Sequence, residues 1–313
     1  MGDSMMTAAF AVHFIAVLLL APLAAGIINR VKAKFAGRHG KPLLQLYFDI
    51  AKLLRKGEVT GKATTWVFSA GPLLSLVTAV LALSLLPAGG TSSPFAFRCD
   101  FILFAYLLGL GRFATVLAAL DTGSPFEGMG ASREALFGAL GEPVLFLVFL
   151  ALSCASFGMG IDTDLSMSSL FGGFAPSAWE NGRPELMLLV FVMGILLLVE
   201  NCRIPVDDPN THLELTMIHE VMILDHSGPN LAFILYGSAL KFWIFAALLA
   251  GLLVPSVTPM LRMTLEFLCV LAFAALTGVI ESIMARLRMH VVPALIGLAG
   301  GAAAFVLILT LVR

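Results

Sequence analysis

Charged residues are scarce in this sequence of 313 residues. Only 12% of them are Asp, Glu, Lys or Arg, whereas 59% are hydrophobic, and the mean hydropathy is +0.97. A water-soluble domain needs more charge than this to cover its surface. The shortage excludes a soluble enzyme or binding domain and predicts a chain for which lipid is the main solvent.

Cysteine is also rare, and the usual metal motifs are missing. The sequence has four cysteines, with no Cys-x-x-Cys pair of the kind that holds zinc or an iron–sulfur cluster: Cys99, Cys154, Cys202 and Cys269. The zinc motif His-Glu-x-x-His fails after His219-Glu220 at its last position, which is Ile223. We predict no catalytic, cofactor-binding or metal-binding residue in this chain, and no nucleic-acid partner.

Long apolar stretches dominate what remains. Seven are long enough to cross a hydrocarbon core of roughly 30 Å, at 5–28, 66–87, 101–120, 135–158, 231–254, 263–281 and 291–312. An eighth, at about 185–202, has an uninterrupted apolar core of only 14 residues, but Pro184 can open a helix there. The pattern predicts an all-α polytopic membrane protein of about eight transmembrane helices, forming a single domain over 1–313.

Positive charge is concentrated in the segments on one side of these spans. Nine of the 19 Lys and Arg lie in 29–65, and four more lie in 121–134, 200–230 and 282–290. The positive-inside rule makes these segments cytoplasmic, and an even number of spans then places both termini outside. We expect loops 29–65, 121–134 and 200–230 to form one cytoplasmic face. Loop 159–185, which is rich in Gly, Ser and Asp, is predicted to be a plain connector.

In residues 42–56, within the first cytoplasmic loop, polar and apolar side chains recur with the period of an α-helix. Gln45, Asp49 and Lys52 share one face, and Leu43 and Tyr47 lie on the other. This pattern predicts an amphipathic helix in the membrane interface. Such a helix either anchors the fold or forms a rim on which a soluble partner docks.

Ionisable residues occur where hydrocarbon is expected: Arg112, Glu142, Lys241, Glu266 and Glu281, with Glu200 near the boundary. Each costs about 2.5–3.5 kcal/mol at the centre of a membrane helix, so these residues should face the interior of the bundle. Glu134 and Glu142 lie on similar sides of one helix, about 12 Å apart along its axis, and one or two waters could link successive carboxylates in such a column. The arrangement favours a proton relay, although structural ion pairs with Arg112 or Lys241 would explain the same residues.

The segment 200–228 combines acidic residues with three histidines. Its acidic members are Glu200, Asp207, Asp208, Glu214, Glu220 and Asp225. His212, His219 and His226 are seven residues apart, two helical turns, so neighbouring histidines are too distant to share one metal ion. We expect the histidines to be protonatable groups that lead into an acidic funnel. The alternative is that 200–228 is a solvated acidic loop.

Several segments together resemble one family: the membrane subunits related to subunit 1 of respiratory complex I, in the branch of membrane-bound group 4 nickel–iron hydrogenases such as formate hydrogenlyase and hydrogenase 4. They are LQLYFDIAKLL at 44–54, DTGSPF at 121–126, GASREA at 130–135, Glu142-Pro143, ENCRIP at 200–205, Ser227-Gly228, and Glu281 with MARLR at 284–288. They run in order along nearly the whole chain, and DTGSPF with GASREA is the most specific part.

The resemblance implies a membrane subunit of an energy-converting hydrogenase, an oxidoreductase complex in a bacterial or archaeal cytoplasmic membrane. Such a subunit anchors a soluble redox arm and couples electron transfer to proton or sodium translocation. It has no redox centre of its own, because the Ni-Fe centre and the iron–sulfur clusters belong to partner subunits. The implied partners are hydrogenase large and small subunits, an iron–sulfur subunit and antiporter-like membrane subunits, in a hetero-oligomer.

Two sets of residues follow from the pattern and the resemblance together. The predicted proton-transfer residues are Glu134, Glu142, Glu200, Asp207, Asp208, Glu214, Glu220, Lys241 and Glu281. The predicted partner-docking residues are Arg38, Gln45, Asp49, Lys52, Asp121, Arg133, Arg203 and Arg286. Two other functions stay open: a subunit of a quinone-reducing dehydrogenase, and a stand-alone ion transporter. The electron donor, which could be formate, carbon monoxide or ferredoxin, the ion and the reaction direction are not predicted.

Overall fold

The computed structural model describes residues 2–158, 165–207, 217–255 and 257–312, without the side chains of residues 2–6. Its regular structure in these ranges is helical, which confirms the predicted all-α polytopic fold. The helices are α1 (Gly2–Phe35), α2 (Gln45–Leu53), α3 (Trp66–Leu85), α4 (Asp100–Asp121), α5 (Pro125–Phe157), α6 (Met167–Ser169), α7 (Ala175–Glu180), α8 (Glu185–Glu200), α9 (His219–Met222), α10 (Gly228–Leu253), α11 (Pro259–Ile283) and α12 (Val292–Val312), with a π-helical turn (Leu170–Phe174) before α7.

Seven helices of the described chain are long and apolar enough to cross a membrane: α1, α3, α4, α5, α10, α11 and α12. The predicted eighth span is α8, whose 16 residues rise only about 24 Å. It packs against α5, α10 and α12, so its neighbours rather than lipid cover much of its surface. One buried apolar core has members from α8 and from each of the seven long helices.

The bundle has a charged end, where α1, α4, α8 and α11 end and α3, α5 and α10 begin. Asp121, which ends α4, accepts hydrogen bonds from the N–H groups of Thr65 (2.6 Å) and Phe68 (3.2 Å) at the start of α3. Lys32, near the end of α1, lies 2.7 Å from Glu281, near the end of α11. The first residues of α1 and the last residues of α12 lie at the opposite end of the bundle. Which end faces the cytoplasm stays a prediction.

Two tyrosines donate hydrogen bonds to backbone carbonyls of α1 just before Pro22. Proline has no N–H, so the carbonyl of Leu18 loses its helical donor. The hydroxyl of Tyr236 in α10 donates to that carbonyl at 2.7 Å, and the hydroxyl of Tyr47 in α2 donates to the carbonyl of Leu19. The predicted amphipathic helix is the nine-residue helix α2, which packs against α1 and α10 and has no fully buried residue.

The plain connector predicted at 159–185 is wrong for its described part. Residues 165–184 form α6, the π-helical turn and α7, and they bury Met167, Phe171 and Phe174 in the core. Arg262 at the start of α11 donates to the carbonyls of Phe171 (2.5 Å) and Gly172 (2.6 Å). The glycines and serines indicated a loop, but the apolar side chains between them pack into the bundle.

Candidate functional site

Arg112 of α4 is the centre of a buried group of charges that joins four helices. Its Nε lies 3.3 Å from Oε1 of Glu134, and its Nη1 lies 2.7 Å from Oε1 of Glu142, both on α5. Its Nη2 pairs with Oε2 of Glu200, the last residue of α8. Nζ of Lys241 on α10 lies 3.0 Å from the same oxygen. We call these five residues the Arg112 cluster.

Most of the Arg112 cluster is inside the bundle. The side chains of Arg112, Glu134 and Glu200 are 8%, 11% and 5% exposed, so the ion pairs are what offset the cost of removing these charges from water. Glu142 differs, because 40% of its side chain is exposed on the outer surface of the bundle. The cluster therefore runs from the interior to the surface formed by α4 and α5.

Glycines on α5 provide the space that the Arg112 cluster occupies. A Cβ atom on Gly138 would collide with the guanidinium of Arg112, and one on Gly141 would lie 3.1 Å from Oε1 of Glu200. A glycine inside a helix costs up to about 1 kcal/mol relative to alanine. Here the absence of a side chain makes room for the charged groups. No sequence motif marked these glycines, since only the contact with α4 and α8 reveals their role.

A polar cavity of about 120 Å³ opens beside the Arg112 cluster towards the charged end. Apart from the cluster, its polar lining consists of Ser75, Thr78, Thr115, Asn201, Cys202, Arg203, Asp207, His219, Glu220 and Ser238. A polar cavity of this size has room for several water molecules. Water there would connect the cluster with the acidic segment that follows α8.

Cys202 was not among the predicted site residues, yet its thiol donates to Oε2 of Glu134 with an S–O distance of 3.4 Å. Burial, together with the carboxylates of Glu134 and Asp207, raises the pKa of this thiol well above its usual value. The thiol therefore stays protonated and remains a hydrogen-bond donor. Its role is to hold one oxygen of Glu134 in place while Arg112 pairs with the other.

A second set of ion pairs lies at the charged end. Glu281 pairs with Lys32 at 2.7 Å and with Arg203 at 3.4 Å, and its side chain is fully buried. Arg286 lies 3.0 Å from Asp207. The short segment 200–207 therefore contributes to the Arg112 cluster, to the cavity and to this second set.

The predicted proton-transfer residues divide into four groups. Glu134, Glu142, Glu200 and Lys241 meet around Arg112, which the sequence had marked only as a possible ion-pair partner. Asp207 and Glu220 line the cavity, and Glu281 belongs to the second set. Asp208 and Glu214 lie outside the described residues, as does His212. In the described ranges, no group of three or more His, Cys, Asp or Glu could hold a metal ion.

The predicted partner-docking residues include side chains that are bonded within the chain and side chains that are exposed. Asp121 binds the start of α3, and Nε2 of Gln45 donates to Oδ1 of Asp49 at 2.8 Å. Arg38 and Lys52 are exposed near the charged end.

The three remaining arginines of the docking set are bonded within the chain. Nη1 of Arg133 donates to the carbonyl of Met217 at 2.8 Å. Arg203 and Arg286 pair with the acids of the second set. These side chains fix the loops at the charged end, and any partner contact would come in addition.

Comparisons with known proteins agree with the motif resemblance. The NADH dehydrogenase family model matches residues 7–311. Hydrogenase-4 component C of Escherichia coli is 34% identical over 239 residues, 76% of this chain and 72% of the relative. Formate hydrogenlyase subunit 4 of Escherichia coli is 27% identical over 285 residues, 88% of this chain and 89% of the relative.

A solved structure has the same fold. A chain of the membrane-bound sulfane sulfur reductase, an archaeal respiratory membrane complex, superposes with a TM-score of 0.79 over 97% of this chain and 99% of its own length, at 17% identity. The resemblance drawn from the motifs is confirmed.

Proposed function

Because the chain belongs to the NADH dehydrogenase family, we propose that it is the membrane subunit of an energy-converting hydrogenase complex. It anchors the soluble redox arm and couples electron transfer to the movement of protons or sodium ions. The relatives whose names point this way are a hydrogenase-4 component and a formate hydrogenlyase subunit. The complex would lie in the cytoplasmic membrane of a bacterium or an archaeon.

The observation that carries the proposal is the charge balance of the Arg112 cluster. Three carboxylates, of Glu134, Glu142 and Glu200, face two cations, those of Arg112 and Lys241. With all five ionised, the cluster has a net charge of −1, so one added proton makes it neutral. Neutral groups are favoured in a low-dielectric interior, and a cluster of this kind can therefore accept and release a single proton.

Two features supply a route to and from the cluster. The polar cavity joins it to the charged end, where Asp207 and Glu220 can exchange protons with water. On the other side, Glu142 reaches the outer surface of the bundle. Protons would enter through the cavity and pass along the carboxylates to a neighbouring membrane subunit beside α4 and α5.

The charged end is the side proposed to carry the redox arm. Most of the Lys and Arg of the chain lie in its segments, which supports a cytoplasmic position by the positive-inside rule. Hydrogenase large and small subunits and an iron–sulfur subunit would dock there and hold the Ni-Fe centre and the iron–sulfur clusters. Antiporter-like membrane subunits would complete the hetero-oligomer.

Gentle solubilisation of the tagged chain tests the assembly. We expect soluble redox subunits and nickel to copurify, and the preparation to evolve hydrogen. Bound quinone, with inhibition by quinone-site compounds, would favour the quinone-reducing dehydrogenase instead. A chain that purifies alone and transports ions alone would contradict the proposal.

Replacing Glu142 by Gln tests the relay. The amide keeps a hydrogen bond to Arg112 but cannot carry a proton, so we expect ions moved per turnover to fall at least tenfold while the complex still assembles. The matched control is Glu180→Gln, an exposed glutamate in α7 at the opposite end of the bundle. Equal coupling ratios in both variants and the unchanged protein would remove Glu142 from the route.

A further inference from the structure

His13 of α1 is a buried polar side chain that lacks a hydrogen-bond partner within the described chain. The residue is 9% exposed, and its ring contacts the ring of Phe267, with 5.1 Å between centroids. Buried polar side chains are nearly always hydrogen-bonded to protein or to ordered water. The imidazole should therefore have a partner that is not a protein group.

A small cavity beside His13 has the size of one water molecule. Its volume is about 20 Å³, and it lies between α1, α10 and α11, near the end of α3 and the π-helical turn. Phe171, Phe267 and Val270 contribute apolar walls, whereas His13 and Glu266 contribute the ionisable groups of the lining. A buried water needs at least about 10–15 Å³ and two to four polar neighbours, so this cavity suits one water and not two.

Glu266 has hydrogen-bonding capacity left for such a water. Its Oε1 pairs with Nε of Arg262 at 3.1 Å, and its Oε2 accepts from the N–H of Gly89 at 3.0 Å. Each carboxylate oxygen has two lone pairs, so both oxygens can accept a further bond. The charges of Arg262 and Glu266 offset each other, and the site needs no additional ion for neutrality.

We propose that His13 and Glu266 hold one ordered water molecule, which donates to the carboxylate and is hydrogen-bonded to a ring nitrogen of the imidazole. The water makes the site proton-exchangeable, because it links two groups that each bind and release a proton. This inference does not depend on the proposed function of the chain.

The water site is distinct from the charges described above. On α11, Glu266 precedes Glu281 by 15 residues, which corresponds to about 22 Å along the helix. The α1 side chains between His13 and the charged end include Val17, Ala21 and Ile28, which are fully buried and apolar. The site therefore stands alone in the half of the bundle away from the charged end.

Solid-state NMR of the complex in membranes, with the chain labelled with nitrogen-15 in its histidines, tests the proposal. The signal lost in His13→Phe identifies His13, and that lost in His39→Phe identifies an exposed loop histidine for reference. Water-edited spectra record how fast magnetisation passes from water to each site. We expect the build-up time at the His13 ring to be within a factor of about two of the build-up time at the His39 ring. In Glu266→Gln, we expect the His13 nitrogen shifts to move, whereas those of His39 stay.

A dry cavity gives different results. The His13 nitrogens would then show the shifts of a ring free of hydrogen bonds and would receive water magnetisation many times more slowly than those of the exposed His39, which overturns the proposal. If Glu266→Gln does not assemble, the water-edited spectrum of the unchanged protein still decides. Neither result bears on hydrogen evolution or ion coupling, so failure of the water site would leave the proposed function intact.

Discussion

At the scale of single residues, Arg112 illustrates why a guanidinium occupies the centre of the site. Three different nitrogens of its side chain face three different carboxylates. Lysine presents one compact ammonium group on a flexible stem and cannot reproduce this planar, many-sided pairing. Removing one partner of a buried ion pair typically costs about 3–5 kcal/mol, because the remaining charge is left uncompensated in the interior.

His226 is a residue whose protonation should weaken the fold. It is buried just before α10, and its ring stacks on Phe68 with 4.0 Å between centroids. Burial lowers the pKa of His226 from an ordinary 6.5 to about 4, and the carboxylate of Asp225 only partly opposes this. Between these two pH values the unfolded chain binds a proton that the folded chain does not. The part of the folding stability that depends on neutral His226 is therefore fully present above pH 6.5 and is lost as the pH falls towards 4.

The expected result is a melting temperature that falls from pH 7 to pH 5, and falls less in His226→Phe. Phenylalanine keeps the stacking on Phe68 but cannot be protonated. Thermal unfolding of the solubilised complex at the two pH values measures this, with His290→Phe, an exposed histidine, as the control. An equal fall in all three proteins would exclude His226 as a source of the acid sensitivity.

At the scale of elements, the proline-containing helix α1 and the short helix α2 are bonded to each other. Pro22 frees a backbone carbonyl in the middle of a long apolar helix, where water cannot satisfy it. Hydroxyls of Tyr236 and Tyr47 approach from α10 and α2 and bond this region. Most residues of α2 are half-buried against α1 and α10, and the hydrogen bond of Tyr47 is one of the contacts that hold this helix in place.

Replacing Tyr47 by Phe should loosen α2 without unfolding the bundle. A hydrogen bond of this kind contributes about 0.5–1.5 kcal/mol, so we expect amide hydrogen exchange in 45–53 to rise by roughly threefold to tenfold. Mass spectrometry of the deuterated complex measures the exchange. Tyr106→Phe is the matched control, since Tyr106 is 69% exposed on α4. Unchanged exchange in Tyr47→Phe would mean that other contacts hold α2.

At the scale of the whole molecule, the surface formed by α4 and α5 differs from a surface made for lipid. Tyr106, Phe113 and Leu136 are all more than half exposed there, as expected for a membrane-facing surface. The partly exposed carboxylate of Glu142 lies on the same helices, and a charge facing hydrocarbon costs several kcal/mol. Another membrane protein is therefore expected to cover this surface.

A photoreactive phenylalanine at Leu136 should crosslink to a neighbouring membrane subunit. The control is the same group at Phe305 on α12, which is similarly exposed on a helix without charged residues and is expected to contact lipid. Mass spectrometry of the irradiated complex identifies the adducts. Lipid adducts alone at Leu136 would contradict a neighbouring subunit at this surface.

The architecture was largely predictable because long apolar stretches leave few alternatives. In hydrocarbon every backbone group must be bonded within the chain, so each stretch has to be a helix. The prediction of local structure was weaker where packing between helices, rather than contact with lipid, determines the conformation. The part of 159–185 that contains Phe171 and Phe174 looked like a loop, yet it is buried in the core. The 16-residue helix α8 also depends on its neighbours, because it is short for a bilayer.

The sequence by itself determined that the chain is helical, resides in a membrane and carries Glu142, Glu200 and Lys241 where charge is costly. Only the tertiary structure decided which of these groups meet. Arg112 and Glu200 are 88 positions apart in the sequence. They pair only because the packing of the bundle brings α4 and α8 within reach of each other and because Gly138 leaves space for the guanidinium. The physical reason is that helical periodicity and hydropathy act along one segment, whereas the partner of a buried charge is set by how whole helices pack.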